Sequence, residues 1–135
     1  MVEREMIENY LECIYVLLLE KRYIRSVDIA KQLKFRRSSV SIALKELKDL
    51  NYVKILNQRY IKLSRKGLKL AQRIYERHIV LSELLIALGV SKSTALKDAC
   101  KIEHYLSEES YSILKEFYEE QIKERAKNDD SNEGE

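Results

Sequence analysis

The chain contains no proline and no tryptophan, and its 135 residues include only three glycines, Gly67, Gly89 and Gly134. Proline removes a backbone donor and glycine loosens the backbone, so both interrupt helices. Their scarcity excludes a turn-rich fold and points to a mainly α chain. Long apolar runs are also missing. The longest reaches from Cys13 to Leu19, far short of the roughly 20 residues that span a bilayer. The N-terminal stretch carries Glu3, Glu5 and Glu8 where a secretion signal would carry basic residues, so no signal peptide is expected. Cysteine is limited to Cys13 and Cys100, too few and too far apart for a disulfide framework. They read as reduced thiols of a cytoplasmic protein. There is no internal repeat, no glycine-rich phosphate loop and no Ser/His/Asp nucleophile arrangement, so no catalytic residue is assigned and no enzyme is expected.

What the chain does have is an uneven charge. Residues 21–70 hold fifteen lysines and arginines against three acids, Asp28, Glu46 and Asp49, whereas residues 71–135 hold nine against fourteen acids. The net charge of +3 hides this division. A basic half beside an acidic half suggests that the first half faces a polyanion such as nucleic acid. A hydrophobic content of 45% supports one packed domain, or two small lobes that share a long helix.

Apolar periodicity orders the chain. Ile7, Tyr10, Leu11, Ile14, Leu17 and Leu18 recur at helical steps and predict a helix over 3–20, with Asn9 and Glu12 three apart beside the stripe and Cys13 in the core. Ser26 is expected to cap a short helix over Val27–Leu33. The stretch Lys34 to Ser39 reads as a turn, after which Val40, Ala43, Leu44, Leu47 and Leu50 mark a second helix. Two short helices joined tightly, the second basic at its N-terminal end, are the pattern of a helix-turn-helix. At 100° per residue the second helix turns Ser38, Ser41, Ile42 and Lys45 outward. Arg37 suits a bidentate guanine contact, Ile42 a thymine methyl, and Arg36 and Lys48 phosphates. Residues 52–56 and 60–64 alternate apolar and polar about Asn57-Gln58-Arg59, which predicts a hairpin wing with Arg59 at its tip. Ser64 then caps a long helix to about Ala87, ended by Gly89. Leu68, Ala71, Ile74, Tyr75, His78, Leu81, Leu85 and Ile86 fall near one of its sides. Ser91 or Ser93 caps the next helix and Ser107 the last. Residues 126–135 are polar and are expected to be disordered.

The most specific stretch is Asp98-Ala99-Cys100-Lys101-Ile102-Glu103-His104-Tyr105-Leu106-Ser107. On a continuous helix Cys100, Glu103 and His104 stand at i, i+3 and i+4 and share a face. A thiol, a carboxylate and an imidazole are all metal ligands, suited to iron, zinc or cobalt and compatible with manganese. The plainer reading has Glu103 solvated, His104 half-buried and Cys100 as a small core residue. Leu96, Ala99, Ile102 and Leu106 form a neighbouring face that can pack.

Taken together, the chain resembles the diphtheria toxin repressor family (DtxR/MntR) of metal-dependent repressors. The likeness is carried by Glu8-Asn9-Tyr10-Leu11-Glu12-Cys13-Ile14-Tyr15, Asp28-Ile29-Ala30, Ser38-Ser39-Val40-Ser41, Leu63-Ser64-Arg65-Lys66-Gly67, Arg77-His78 and the string from Ala99 to Ser107. The resemblance implies a winged helix-turn-helix over 1–70, then a linker helix and a helical dimerisation domain over 71–125, in the short form without a third domain. It implies a metal site formed by Asn9, Glu12, His78, Cys100, Glu103 and His104. DNA contacts are expected from Arg36, Arg37, Ser38, Ser39, Ser41, Ile42, Lys45, Lys48 and Arg59.

Four positions depart from one or other branch of the family. Asn9 stands where manganese-type members have aspartate and iron-type members methionine. Cys100 matches the iron type, where manganese-type members have a bridging glutamate. Ser82 and Leu96 replace ligands of a second site. One principal site per subunit is therefore expected, with Fe(II) ahead of Mn(II), and with Zn(II) or Co(II) binding in vitro. The expected protein is a cytoplasmic homodimeric repressor of metal-ion homeostasis genes. Its partner is double-stranded, palindromic operator DNA, with no membrane and no small-molecule substrate. The alternatives are a winged-helix regulator that no longer needs metal and, remotely, a metal-dependent hydrolase.

Overall fold

A computed structural model of the chain describes residues 3–123; the expected tail at 126–135 lies outside them. The chain divides into two compact units, Met1–Tyr75 and Glu76–Glu135. Helix α4 (Arg65–Ala87) contributes to both.

The first unit contains α1 (Arg4–Glu20), α2 (Ser26–Leu33), α3 (Arg37–Asp49), β1 (Val53–Leu56), β2 (Tyr60–Leu63) and the start of α4. Its core takes one face from each element: Leu11 and Ile14 from α1, Ile29 from α2, Val40 and Leu47 from α3, Val53 and Ile61 from the hairpin, and Ala71 from α4. Full burial of each large aliphatic side chain contributes roughly 1.5–3 kcal/mol, the main force fixing the helix-turn-helix. Most elements fall where periodicity places them, with local corrections. Helix α2 begins at Ser26 itself, so the cap position falls to Arg25, whose backbone N–H donates to the Asp28 carboxylate at 2.8 Å. The turn before α3 is shorter than expected. Lys34 takes the left-handed conformation (φ 59°) and the helix resumes at Arg37, which puts Ser38 and Ser39 in its first turn. Leu50 is 44% exposed rather than part of the stripe.

The hairpin is antiparallel, with Val53 opposite Leu63 and Lys54 opposite Lys62. It is shorter than read from sequence: Tyr52 belongs to the preceding turn and Ser64 to the following cap. Asn57 and Gln58 both have positive φ (52° and 59°), as the right-handed twist of paired strands requires of a tight hairpin turn. Ser64 Oγ accepts from the N–H of Gly67 at 3.0 Å and donates to the carbonyls of Asn51 and Tyr52, tying the wing to α4.

The second unit holds the rest of α4, then α5 (Lys92–Ile102), α6 (Glu108–Phe117) and a π-helical turn over Tyr118–Lys123. Gly89 (φ 107°) ends α4 in a Schellman motif, with Gly89 N–H on the Ile86 carbonyl and Val90 N–H on that of Leu85. Ser91 and Ser107 accept from the backbone N–H groups of Thr94 and Ser110 as N-caps. The packed side of α5 is Ala95 and Ala99, not Leu96 and Ile102, each 37% exposed. On α4 the buried apolar residues of this unit are Val80, Leu81 and Leu84, whereas Ile86 is 40% exposed. The α4 stripe read from sequence included Leu68 and Ile86, 38% and 40% exposed, and left out Val80 and Leu84, which are buried; on α5 the small alanines, not the leucines, mark the tightest approach.

Candidate functional site

The string from Cys100 to His104 does not lie on one uninterrupted helix. Helix α5 ends at Ile102. Glu103 keeps a helical backbone as the C-cap residue, its N–H on the Ala99 carbonyl at 3.0 Å, and His104 lies in the turn beyond. Cys100 and Glu103 therefore share a face, while His104 reaches the same carboxylate from outside the helix. The plainer reading is inverted: Cys100 is exposed, Glu103 is only 1% exposed and His104 is buried.

His78 on α4 completes the cluster. Its Nδ1 is 3.0 Å from Glu103 Oε2 and 3.8 Å from Cys100 Sγ, and His104 Nε2 is 3.5 Å from Glu103 Oε1. The carboxylate thus lies between two imidazoles. Donor atoms of His78, Cys100 and Glu103 all lie within 4.8 Å of one another. Ligands on a tetrahedral transition metal, at bond lengths of roughly 2.0–2.3 Å, are themselves roughly 3.3–3.8 Å apart. The spacing and the S, N, O donor set both fit such an ion. Both histidines of the chain belong to this cluster. Asn9 and Glu12 stand three apart on α1 of the first unit, half-buried.

A residue that sequence reading underrated holds this turn. Arg77, next to His78, is 1% exposed. Its Nη1 donates to the carbonyls of Glu103 (3.2 Å) and Leu106 (2.8 Å), and its Nη2 donates to Glu108 Oε1 at 2.7 Å. Its guanidinium also lies 4.7 Å from the centre of the Tyr111 ring. Arginine is seldom fully buried unless paired, so residue type alone argues against burying Arg77. The carbonyls that draw it in belong to a turn 26 and 29 residues away, which no local pattern reveals.

The two thiols are chemically distinct. Burial, with a smaller contribution from Glu12, pushes the Cys13 thiol up to about 12, leaving it protonated and unreactive at neutral pH. A disulfide-exchange reagent is expected to label one thiol per native metal-free chain, Cys100, and both after unfolding. Excess Mn(II) or Co(II) should slow the native reaction. Equal labelling of both native thiols, or no protection by metal, would contradict this assignment.

In the first unit the nine residues expected at DNA are all exposed, but they divide between two sides of α3. Ser41, Lys45, Lys48 and Arg59 line one hollow of about 410 Å3 between α3 and the wing, together with Ser26 and Gln58. Arg36, Ser39 and Ile42 border another, of about 720 Å3, with Met6, Tyr10 and Phe35. Arg37 and Ser38 stand in the first turn of α3, which has no acidic residue and no side-chain cap. With its N–H groups so presented and two arginines alongside, this helix end favours an anion.

Comparison with known proteins bears on both sites. Residues 4–61 match the family model described as the iron dependent repressor N-terminal DNA binding domain, and residues 64–125 match the iron dependent repressor metal binding and dimerisation domain. The transcriptional regulator MntR of Salmonella typhimurium is 36% identical over 114 residues, which cover 84% of this chain and 73% of that protein. Among solved structures, T. acidophilum IdeR superposes with a TM-score of 0.72 at 27% identity, covering 87% of this chain and 55% of that one. The manganese regulator SloR gives 0.75 at 26% identity, covering 88% and 55%. The chain thus spans about half the length of these two structures.

Proposed function

The chain belongs to the diphtheria toxin repressor family (DtxR/MntR) of metal-dependent DNA-binding transcriptional regulators, a family of regulators and not of enzymes, and from that premise we propose how this member works. It acts as a cytoplasmic homodimeric repressor of metal-ion homeostasis genes on a palindromic operator. Residues 1–70 serve as the DNA-binding domain and 71–125 as the metal-binding and dimerisation domain. The observation that carries the reading is the Glu103 carboxylate set between His78 and His104, with Cys100 at its edge.

His78, Cys100, Glu103 and His104 hold the metal, with Asn9 and Glu12 as further ligands by family likeness. A bound divalent cation supplies positive charge and directional bonds to these side chains, and so favours the DNA-competent state. A thiolate and imidazoles prefer Fe(II), Zn(II) or Co(II) over harder ions, which supports Fe(II) ahead of Mn(II). Arg77 positions Glu103 and His104 by fixing the backbone of their turn. At the DNA, Arg37 reads a guanine edge and Ile42 a thymine methyl from α3, with Ser38, Ser39, Ser41 and Lys45 along the same groove. Arg36, Lys48 and Arg59 meet phosphates. Half-sites lie about one helical turn, ~34 Å, apart.

The test is binding to promoter fragments of the host's metal-transport genes at fixed salt, under anaerobic conditions. The arms are no metal, Fe(II), Mn(II), Zn(II), Co(II) and chelator. Specific binding that requires metal, strongest with Fe(II) among the physiological ions, is expected. Equal binding in chelator would favour a winged-helix regulator without metal control.

A further inference from the structure

Two helices and a turn of the first unit border a hollow for which the metal and DNA readings supply no occupant. Met6 and Tyr10, four apart on α1, line it. So do Ser39, Ala43 and Glu46, which follow one face of α3 at three- and four-residue steps. The turn from Lys34 to Arg36 supplies the rest. The volume of about 720 Å3 falls within the roughly 300–1,000 Å3 of small-molecule sites. Phe35 and Ile42, 49% and 64% exposed, present their apolar side chains at its border. Large apolar groups gathered at a concavity mark a binding surface.

The polar groups of the hollow are sorted along it. Lys34 and Arg36 lie at the start of α3, and among the described residues neither side chain is recorded with an ion-pair or hydrogen-bond partner. The first turn of α3, which no side chain caps, opens at the same end. Glu46 also lines the hollow, but its backbone lies ~15 Å from Arg36 along α3, at 1.5 Å per residue. Positive charge thus marks one end and negative charge the other. Tyr10 is buried, and its ring packs on Phe35 at 6.0 Å between centres. Among the described residues its hydroxyl has no recorded hydrogen-bond partner, which is costly for a buried polar group. Burial, with a smaller contribution from Cys13, raises this hydroxyl above its ordinary pKa, so it stays a donor at neutral pH. A duplex backbone brings charge without an apolar body and would leave this apolar lining uncovered.

We propose that the hollow is a binding site for a small amphipathic anion, a carboxylate on an aromatic or acyl body. The apolar body lies against Met6, Tyr10, Phe35 and Ile42. The carboxylate faces Lys34 and Arg36, and the Tyr10 hydroxyl is a further donor. Arg36, Ser39 and Ile42 are also expected at DNA, so ligand and operator exclude one another. The ligand is an inducer that acts without changing metal affinity. That consequence rests on the reading of α3 as the recognition helix; the site itself does not.

The experiment is isothermal titration of the full, metal-free chain with two probes, naphthoate and octanoate. Naphthylmethanol supplies the body without the charge, and acetate the charge without the body. At least one carboxylate probe is expected to bind once per chain, about 10-fold or more tighter than naphthylmethanol or acetate. The tighter of the two tells an aromatic source from an acyl one. Lys34→Gln is expected to weaken binding about 10-fold and Tyr10→Phe about 5-fold, with melting temperatures unchanged. The chain has only two methionines, so isotopic labelling of their methyl groups reports on Met6 by nuclear magnetic resonance, assigned with Met6→Leu. Naphthoate should shift that signal through its ring current. With Mn(II) present, saturating ligand should weaken operator binding about 10-fold or more. Binding of neither carboxylate, equal binding of naphthylmethanol, or affinity unchanged in both Lys34→Gln and Tyr10→Phe overturns the proposal. Unaltered operator affinity in saturating ligand overturns the inducer role. Failure of the DNA reading looks different: metal would not promote operator binding at all, while the titrations and the Met6 signal still decide the site.

Discussion

Glu103→Gln is expected to bind divalent metal at least about 100-fold more weakly than wild type and to lose metal-activated DNA binding, while folding normally. The side chain is fully buried against two imidazoles. Glutamine keeps its shape and can accept or donate a hydrogen bond to either ring, so the turn should survive. What disappears is the negative charge and one strong oxygen ligand. Even residues that only support metal ligands typically cost 10–100-fold when replaced, and a direct ligand should cost at least as much. Isothermal titration with Mn(II) and Co(II) reads the first effect and operator binding with and without metal the second. Weak metal-free DNA binding should match the wild type, because α3 and the wing belong to the other unit. Retained metal affinity would remove Glu103 from the ligand set.

The second large effect is on stability. Gly67→Ala is expected to destabilise the DNA-binding unit by about 3–4 kcal/mol, from overpacking and disrupted hydrogen bonds. A Cβ at Gly67 would come 2.1 Å from the carbonyl oxygen of Tyr52. That oxygen accepts from both the N–H and the hydroxyl of Ser64, each at 3.0 Å. The obstacle is backbone, so no rotamer change relieves it, and the join between wing and α4 must open. A domain with typical stability of about 5–15 kcal/mol would lose a large share. Gly89→Ala is the comparison. Its positive φ (107°) strains an L-residue, but nothing lies within 4 Å of the added carbon. Thermal melting should therefore rank Gly67→Ala well below Gly89→Ala. Equal melting temperatures for Gly67→Ala and wild type would show that the approach of α4 to Tyr52 is looser than described.

Much of the architecture was readable because it is local. The α3 stripe, the serine caps at 64, 91 and 107 and the Gly89 terminus follow from spacing and from residue type. What sequence misplaced depends on contacts distant along the chain. The helix carrying Cys100 was drawn through His104, but Arg77 engages the carbonyls of Glu103 and Leu106, and α5 closes at Ile102. Residue type, which argues against burying an arginine, could not include those carbonyls. His78 offers the converse case. Alone on a helix it carried little information, and only the likeness to a family joined it to the later string. The structure now places it 3.0 Å from Glu103. The expected DNA residues were legible as exposed, yet their division between a wing-side and an α1-side groove depends on packing that periodicity does not encode.

The central claim is that metal and DNA act on one equilibrium, and the most direct measurement is metal affinity with and without operator DNA. Linkage requires that the factor by which metal tightens DNA binding equal the factor by which DNA tightens metal binding. The anaerobic protein would be titrated with Fe(II) or Mn(II) against a competing chelator dye, alone and saturated with the promoter fragment. The account predicts tighter metal binding on DNA, by roughly 5–150-fold, matched by the same gain in DNA affinity. Identical metal affinity with and without DNA would contradict it.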